Sequence, residues 1–359
     1  MTMTLGAQHP AGALRTAVSA VSSTLTVPLV ALLAALVGGA ILILAEGADP
    51  LAVYRTALDG VFLDPRGLSD TATAATPLIL IGLGYALAYQ ARVFTIGAEG
   101  QYLMGAIASV GLVTTEGVRD LPGPALIALG TVAAVIAGAL WGGLTGFLRV
   151  RFGASVVISS LMLVYVAQAF LQWAIRVGIR DPESFIPASR QLGAASLPII
   201  PGLGTHLGFL VAIAAGPCLA LLLARHRLGY RVSVLGHNAD ALDANEIASR
   251  RVVLAVVVGA GGLAGLAGFV EMAGVNGRLG DSASLGYGFT AIIVALLGRL
   301  HPLGVVVAGL AVAALKIGFE VAARSHDLPS SLVGVIQALV VVFVVAGDAL
   351  VERRRGGLR

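Results

Sequence analysis

Glu99 and Gln101 stand among three closely spaced glycines, Gly97, Gly100 and Gly105, in the stretch VFTIGAEGQYLMGAIA (Val93–Ala108). Glycines at that density let the backbone turn or approach a neighbour closely, and a helix is expected to begin at about Ala98. A carboxylate in the first turn of that helix is favoured by the helix dipole. Glu99 therefore serves either as a cap or as a polar contact on a path through the protein. Leu285–Gly304 (LGYGFTAIIVALLGRLHPLG) opens in the same manner, with a glycine-rich turn and two aromatics, Tyr287 and Phe289. Glu271, Lys316 and Glu320 are further ionisable residues within apolar stretches. Lys316 and Glu320 are spaced i,i+4, which suggests an ion pair along one helix or a lysine snorkelling to the surface. Glu271 either bonds nearby backbone or lines a path. No relay of ionisable groups joins these residues in sequence.

Several chemistries are excluded outright. Lys316 is the sole lysine and lies in ALKIG, so the chain holds no GxxxxGK[ST] phosphate loop and cannot be a P-loop ATPase. The six histidines (His9, His206, His226, His237, His301 and His326) make neither HExxH nor a Cys/His ligand cluster, so no metal is expected. There is no GxSxG nucleophile elbow. Cys218 is the single cysteine; it cannot form an intrachain disulfide, and its apolar surroundings suggest a small buried hydrophobe.

The elements that must position these residues are apolar. Hydrophobic residues are 57% of the chain and charged residues 12%, against roughly 25% charged in a soluble domain. Mean hydropathy is +0.93. Such a chain is expected to be an all-α, polytopic transmembrane bundle. The pI near 9.6 reflects anchoring to an anionic lipid leaflet; no basic patch is interleaved with aromatics, so no nucleic acid is expected as partner. A bilayer core needs about 20 residues per helical span. Apolar stretches near 24–45, 73–91, 98–115, 124–148, 154–175, 206–224, 252–274, 287–299, 302–323 and 329–351 give ten candidate spans. The eighth is too short to span unaided: it is a half-helix, or it runs on into 302–323 with a kink at Pro302. The first stretch exceeds the usual length of a cleaved signal core and reads as a retained span.

Placing both termini in the cytoplasm puts fourteen arginines inside and eight outside, which satisfies the positive-inside rule. The domain plan is then an N-terminal segment 1–23, a transmembrane domain 24–351, and a basic tail 352–359. The outer face is expected to carry long loops at Glu46–Ala72 and Val177–Thr205. Small-residue patterns at Gly138, Gly142 and Gly146 and at Gly261 and Gly265 predict close helix packing.

One long polar stretch remains, Arg225–Arg251, with five arginines, three carboxylates and two histidines. Asn238 suits a helix N-cap, Asp240 and Asp243 suit early turns, and Arg250 and Arg251 suit the far end. Ala241, Ala244 and Ala248 share a small-residue face that could press into a partner's groove. An amphipathic helix on lipid head groups is the other reading, but this face lacks the large apolar residues of a membrane anchor.

Taken in order, FTIGAEGQYLMGA, VVISSLMLVYVA (Val156–Ala167), GLAGLAGFVEMAGVNGRLG (Gly262–Gly280) and GYGFTAIIVALLGRLHPLGVVVAG resemble the permease subunits of ABC importers of the branched-chain amino acid and simple sugar type. The nucleoside importer permeases are the nearest branch. The likeness covers roughly Leu68 to Val345. It implies a type II-like importer subunit in a bacterial cytoplasmic membrane that moves nucleosides or a related sugar-like solute. It implies that this chain binds no cofactor and is not an enzyme, ATP and Mg belonging to a separate ATP-binding subunit. A second permease subunit, identical or similar, and an extracytoplasmic substrate-binding protein are the other implied partners. Leu235, Gly236, His237, Asn238, Ala241, Ala244, Ile247 and Ala248 become candidates for coupling to the ATPase. Relatives usually carry a glycine before the isoleucine that matches Ile247, and this chain does not. Phe94, Thr95, Glu99, Gln101, Ser159, Ser160, Tyr165, Glu271, Asn276, Tyr287 and Phe289 become candidates for the solute pathway, since aromatics stack bases and amides or hydroxyls bind ribose. A simple-sugar permease, and an autonomous carrier or channel, are the alternatives.

Overall fold

The computed structural model describes residues 33–238, 242, 248–284, 286–329, 331–339, 342–343 and 346. The regular elements among them are helices; only three isolated bridges, Arg180–Ser189, Ala188–Gly280 and Ile199–His206, pair extended backbone. Two compact units are present: the described residues of Met1–Gly60 and Gly318–Arg359 form one, and Val61–Ile317 form the other.

In the first unit, α1 (Leu33–Ala45) and α2 (Pro50–Phe62) are bent by 114° at a short break. α2 corrects the expected loop Glu46–Ala72. The Asp49 carboxylate accepts the Leu51 N–H at 3.0 Å, Pro50 opens the helix, and Val53, Ala57 and Val61 bury one face. The Tyr54 hydroxyl donates to the Leu36 carbonyl at 2.5 Å, and its ring meets Phe319 edge-on at 5.9 Å.

The second unit is organised around α3 (Pro65–Gln90). Asp64 caps it by accepting from the Arg66 N–H at 2.9 Å, with Pro65 in the first turn. Its most apolar window is 94% buried, whereas those of α5 (Gly123–Phe152), α6 (Val156–Trp173) and α7 (Gly208–Arg225) are only 22–28% buried. α6 runs on through one π-helical turn, Ala174–Gly178. α9 (Ser249–Glu271) packs on α3 and on α4 (Ala98–Val113), and α10 (Tyr287–Leu297) packs on the same two helices. α11 follows at Pro302–Ser325, and α8 (Arg227–His237) lies between α7 and α9.

Glycine sets how closely these helices approach. A Cβ at Gly105 would lie 2.4 Å from the Gly265 Cα, and one at Gly138 would lie 2.3 Å from the Gly261 carbonyl oxygen. α4, α5 and α9 thus touch backbone to backbone, as the small-residue pattern predicts.

Among the described residues, six helices are long and apolar enough to cross a membrane, or seven if the bent α1–α2 pair is one span. The expected stretch 98–115 forms a 16-residue helix, and 287–299 forms an 11-residue one. The latter does not run on into α11: Arg299 and Leu300 adopt positive φ (53° and 56°) and break the chain between them. Val177–Thr205 is irregular, as expected, apart from one short turn at Gly193–Ala195. Cys218 is exposed, contrary to expectation. α7 buries only its stripe of Gly208, Ala212 and Gly216, and Cys218 lies off that stripe.

Candidate functional site

α4 and α10 both begin inside the second unit, and Glu99 joins their N-termini. It is fully buried, one residue into α4. Its carboxylate accepts from the Gly288 N–H at 2.7 Å, the Gly286 N–H at 3.1 Å and the Ser284 hydroxyl at 3.1 Å. Those donors start α10, whose first N–H groups have no partners within their own helix. One carboxylate therefore lies at the positive ends of two helix dipoles. A Cβ at Gly288 would lie 2.3 Å from the Glu99 nitrogen, so glycine is required for this approach. Of the two sequence readings of Glu99, the cap is the one this geometry displays, and the helix it caps is 185 residues away.

A second buried carboxylate lies in very different company. Glu271 ends α9 and is 2% exposed. The Tyr287 hydroxyl hydrogen-bonds it, but its Oε2 has no partner. The Tyr102 ring meets the Tyr287 ring at 6.3 Å, and the Tyr102 hydroxyl is also buried without a partner. The Lys316 ammonium lies 4.9 Å over the Tyr287 ring, a cation–π contact on a ring that bonds Glu271. The expected i,i+4 pairing of Lys316 with Glu320 is not formed, because the tertiary contact offers the ammonium an aromatic face and a nearby carboxylate instead. Four elements thus bring together a lone acceptor, two phenols and a cation. Tyr102 and Lys316 were not among the pathway candidates. Tyr102 carried a readable signal, a hydroxyl-bearing aromatic three residues beyond Glu99.

The remaining candidates fall elsewhere. Ser160 is fully buried; its hydroxyl accepts the Ile96 N–H at 3.1 Å and donates to the Val157 carbonyl, which fixes the link between α3 and α4. Thr95 accepts the Tyr89 hydroxyl at its carbonyl, 2.9 Å away. Gln101 is buried against α5 beside Gly142. Ser159 donates to the Ser155 carbonyl of its own helix at 2.8 Å. Phe94 stacks at a tilt on Tyr89, 5.1 Å between centroids, yet is exposed, as are Tyr165 and Phe289. Asn276 lines a separate cavity of about 500 Å³ with Arg278, Asp281 and Ile186.

In the coupling segment, Leu235 and Gly236 are buried on the inner face of α8, a helix hidden from the sequence by the surrounding charge. A Cβ at Gly236 would lie 2.1 Å from the Gln90 carbonyl, so Gly236 packs on the end of α3. His237 is exposed and bonds the Ser233 carbonyl at 2.8 Å. Asn238 is exposed and extended, φ −155° and ψ 107°. Ala248 is exposed immediately before α9. Ala241, Ala244 and Ile247 lie outside the described residues.

His206, next to α7, is 2% exposed with no partner on either ring nitrogen, and burial holds its pKa below the ordinary histidine value. A Cβ at Gly274 would lie 2.6 Å from its ring. No group of three or more metal-ligating side chains occurs among the described residues.

A bundle of long apolar helices is the architecture of a multi-pass membrane protein. Residues 67–345 match the model for the permease component of branched-chain amino acid transport systems, and the chain belongs to that family. The glucose ABC transporter permease protein TsgB13 of Haloferax volcanii is 35% identical over 341 residues, covering 92% of this chain and 89% of that protein. The guanosine ABC transporter permease protein NupP of Bacillus subtilis is 30% identical over 335 residues, covering 91% and 95%. The nucleoside ABC transporter permease protein NupB of Lactococcus lactis subsp. cremoris is 30% identical over 329 residues, covering 89% and 90%.

Proposed function

We propose that this chain is the membrane-spanning subunit of an ATP-driven importer for nucleosides or a related sugar-like solute, with Glu271, Tyr287, Tyr102 and Lys316 contacting the solute on its way. The observation that carries the site assignment is the unpartnered Glu271 Oε2 beside two phenols. A carboxylate oxygen accepts strongly from a sugar hydroxyl, and leaving it unmatched in a low-dielectric interior is costly. Phenol rings offer faces on which a base or the apolar side of a sugar can lie. Glu99 has the opposite role: its oxygens are engaged, and it holds the helix ends that frame the path.

In this reading the ten apolar segments thread the bacterial cytoplasmic membrane with both termini inside. The segment between α8 and α9 meets the ATP-binding subunit, which supplies the hydrolysis that this chain does not perform. A second permease subunit and an extracytoplasmic binding protein complete the importer. The names of the NupP and NupB relatives favour a nucleoside cargo. A simple sugar is the second reading, favoured by the name of the TsgB13 relative.

Proteoliposomes holding this chain with its ATPase and permease partners test the proposal. Labelled guanosine and glucose, each presented with the binding protein, should distinguish the two cargoes. Uptake should require ATP and the ATPase subunit. Equal uptake by the chain alone, without ATP, would make it an autonomous carrier and overturn the importer reading.

A further inference from the structure

We propose that a cavity walled by arginines at one end of the second unit holds the phosphate headgroup of an anionic membrane lipid. The cavity has a volume of about 830 Å³ and lies where the α3–α4 link, the end of α5, the start of α6 and the start of α9 converge. Arg92, Arg149, Arg151 and Arg250 line it, and among the described residues no aspartate or glutamate does. Like charges gathered in a concavity repel one another unless an anion joins them.

The contrast with other arginines of the chain is direct. Arg55, Arg119 and Arg190 each lie within 4 Å of a carboxylate, on Asp59, Asp120 and Glu116 respectively. None of the four cavity arginines pairs with a carboxylate among the described residues. Arg151 rests instead over the Phe152 ring, 5.9 Å from its centroid. Guanidinium groups match phosphate oxygens with paired N–H donors. α6 also starts in this wall without a side-chain cap, so its first N–H groups add to the same field. Arg149 and Arg151 favour the α5 C-terminus, and Arg92 the α3 C-terminus, by charge alone; Arg250, in the first turn of α9, has no such reason to be there.

The surroundings select a lipid over a soluble phosphate. Phe94 and Val157 line the cavity and are exposed, as are Phe152 and Ile158 beside them. An apolar rim next to a basic pocket suits acyl chains running from a bound headgroup. A soluble anion or an acidic protein surface would gain nothing from it. This inference does not depend on which solute is carried, although Leu235, a candidate for coupling to the ATPase, and Phe94, a candidate for the solute pathway, also line the cavity.

Native mass spectrometry of the detergent-purified full chain tests it, with phosphatidylglycerol, phosphatidylcholine and soluble glycerol phosphate as probes. Phosphatidylglycerol should be retained at least tenfold more than phosphatidylcholine. The double substitution Arg149→Gln/Arg151→Gln should weaken it about 25-fold, taking roughly fivefold per arginine. Arg149→Lys/Arg151→Lys should retain most of the binding, and Arg66→Gln/Arg119→Gln should leave it unchanged. If the first double variant is not monodisperse on gel filtration, Arg92→Gln/Arg250→Gln, on different elements, should show the same loss. Equal retention of the two lipids, or retention unaffected by the cavity variants, would overturn the proposal. So would glycerol phosphate binding as tightly as phosphatidylglycerol, which would assign the cavity to a soluble anion.

Discussion

Glu99 and Glu271 are both buried carboxylates, and they are opposites. Glu99 stands at an N-terminus and receives three donors from a second helix start. Glu271 lies inside a continuous helix, one π-helical turn before its end at Asn276, and keeps one oxygen unpartnered. A satisfied buried carboxylate is a joint. An unsatisfied one beside a cation and two phenols is a place for something else to bind. Stability and transport should therefore separate cleanly between the two residues.

The largest effect is expected at Glu99. Glu99→Ala leaves the first N–H groups of α10 without an acceptor in a dry interior, a loss of about 1–3 kcal/mol for each orphaned donor. The variant should fail to give a monodisperse peak on gel filtration in mild detergent. Gly288→Ala attacks the same joint from the other side, since its Cβ would fall 2.3 Å from the Glu99 nitrogen. About 1–3 kcal/mol of destabilisation follows from overpacking, visible as a lower thermal midpoint. At the second carboxylate, Tyr287→Phe deletes one hydrogen bond but keeps the ring. Uptake should fall roughly three- to tenfold with the thermal midpoint preserved.

The smallest effect concerns His206, which belongs to neither group. Burial favours its neutral form, so the stability this histidine contributes is present above about pH 6.5, the ordinary value. It is lost as pH falls towards the lowered folded value. Protection against hydrogen exchange in the irregular segment before α7, taken relative to the intrinsic exchange rate at each pH, should fall below about pH 6.5 in the native chain and lose that dependence in His206→Gln. Unchanged pH dependence in the variant would assign the effect to another group.

Much of the framework was legible in the sequence because apolar runs bounded by arginine, glycine and proline say where helices lie. α3, α5, α6, α7 and α9 all fall on expected stretches, and the packing of Gly138 and Gly265 follows their spacing. Asp49 and Pro50 announce the start of α2, but its charged and polar residues break the apolar pattern of a span, so the segment reads as a loop. α8 was missed because its polar face dominates a short window. The site was less legible. First-turn placement marks Glu99 as a cap, but nothing local says that it caps Gly286 and Gly288. For Lys316 the i,i+4 rule pointed along the helix to Glu320, and a tertiary contact with Tyr287 won. Contacts across nearly two hundred residues leave no periodicity to read.

The decisive measurement compares ATP-driven uptake, ATPase rate and thermal midpoint in proteoliposomes carrying the native chain or Glu271→Gln. Glutamine preserves the shape and removes the charged acceptor. Uptake should fall at least tenfold while basal ATP hydrolysis and the thermal midpoint stay close to native. Native uptake by Glu271→Gln, or a loss of stability matching that of Glu99→Ala, would make Glu271 another structural joint and contradict its role in handling the solute.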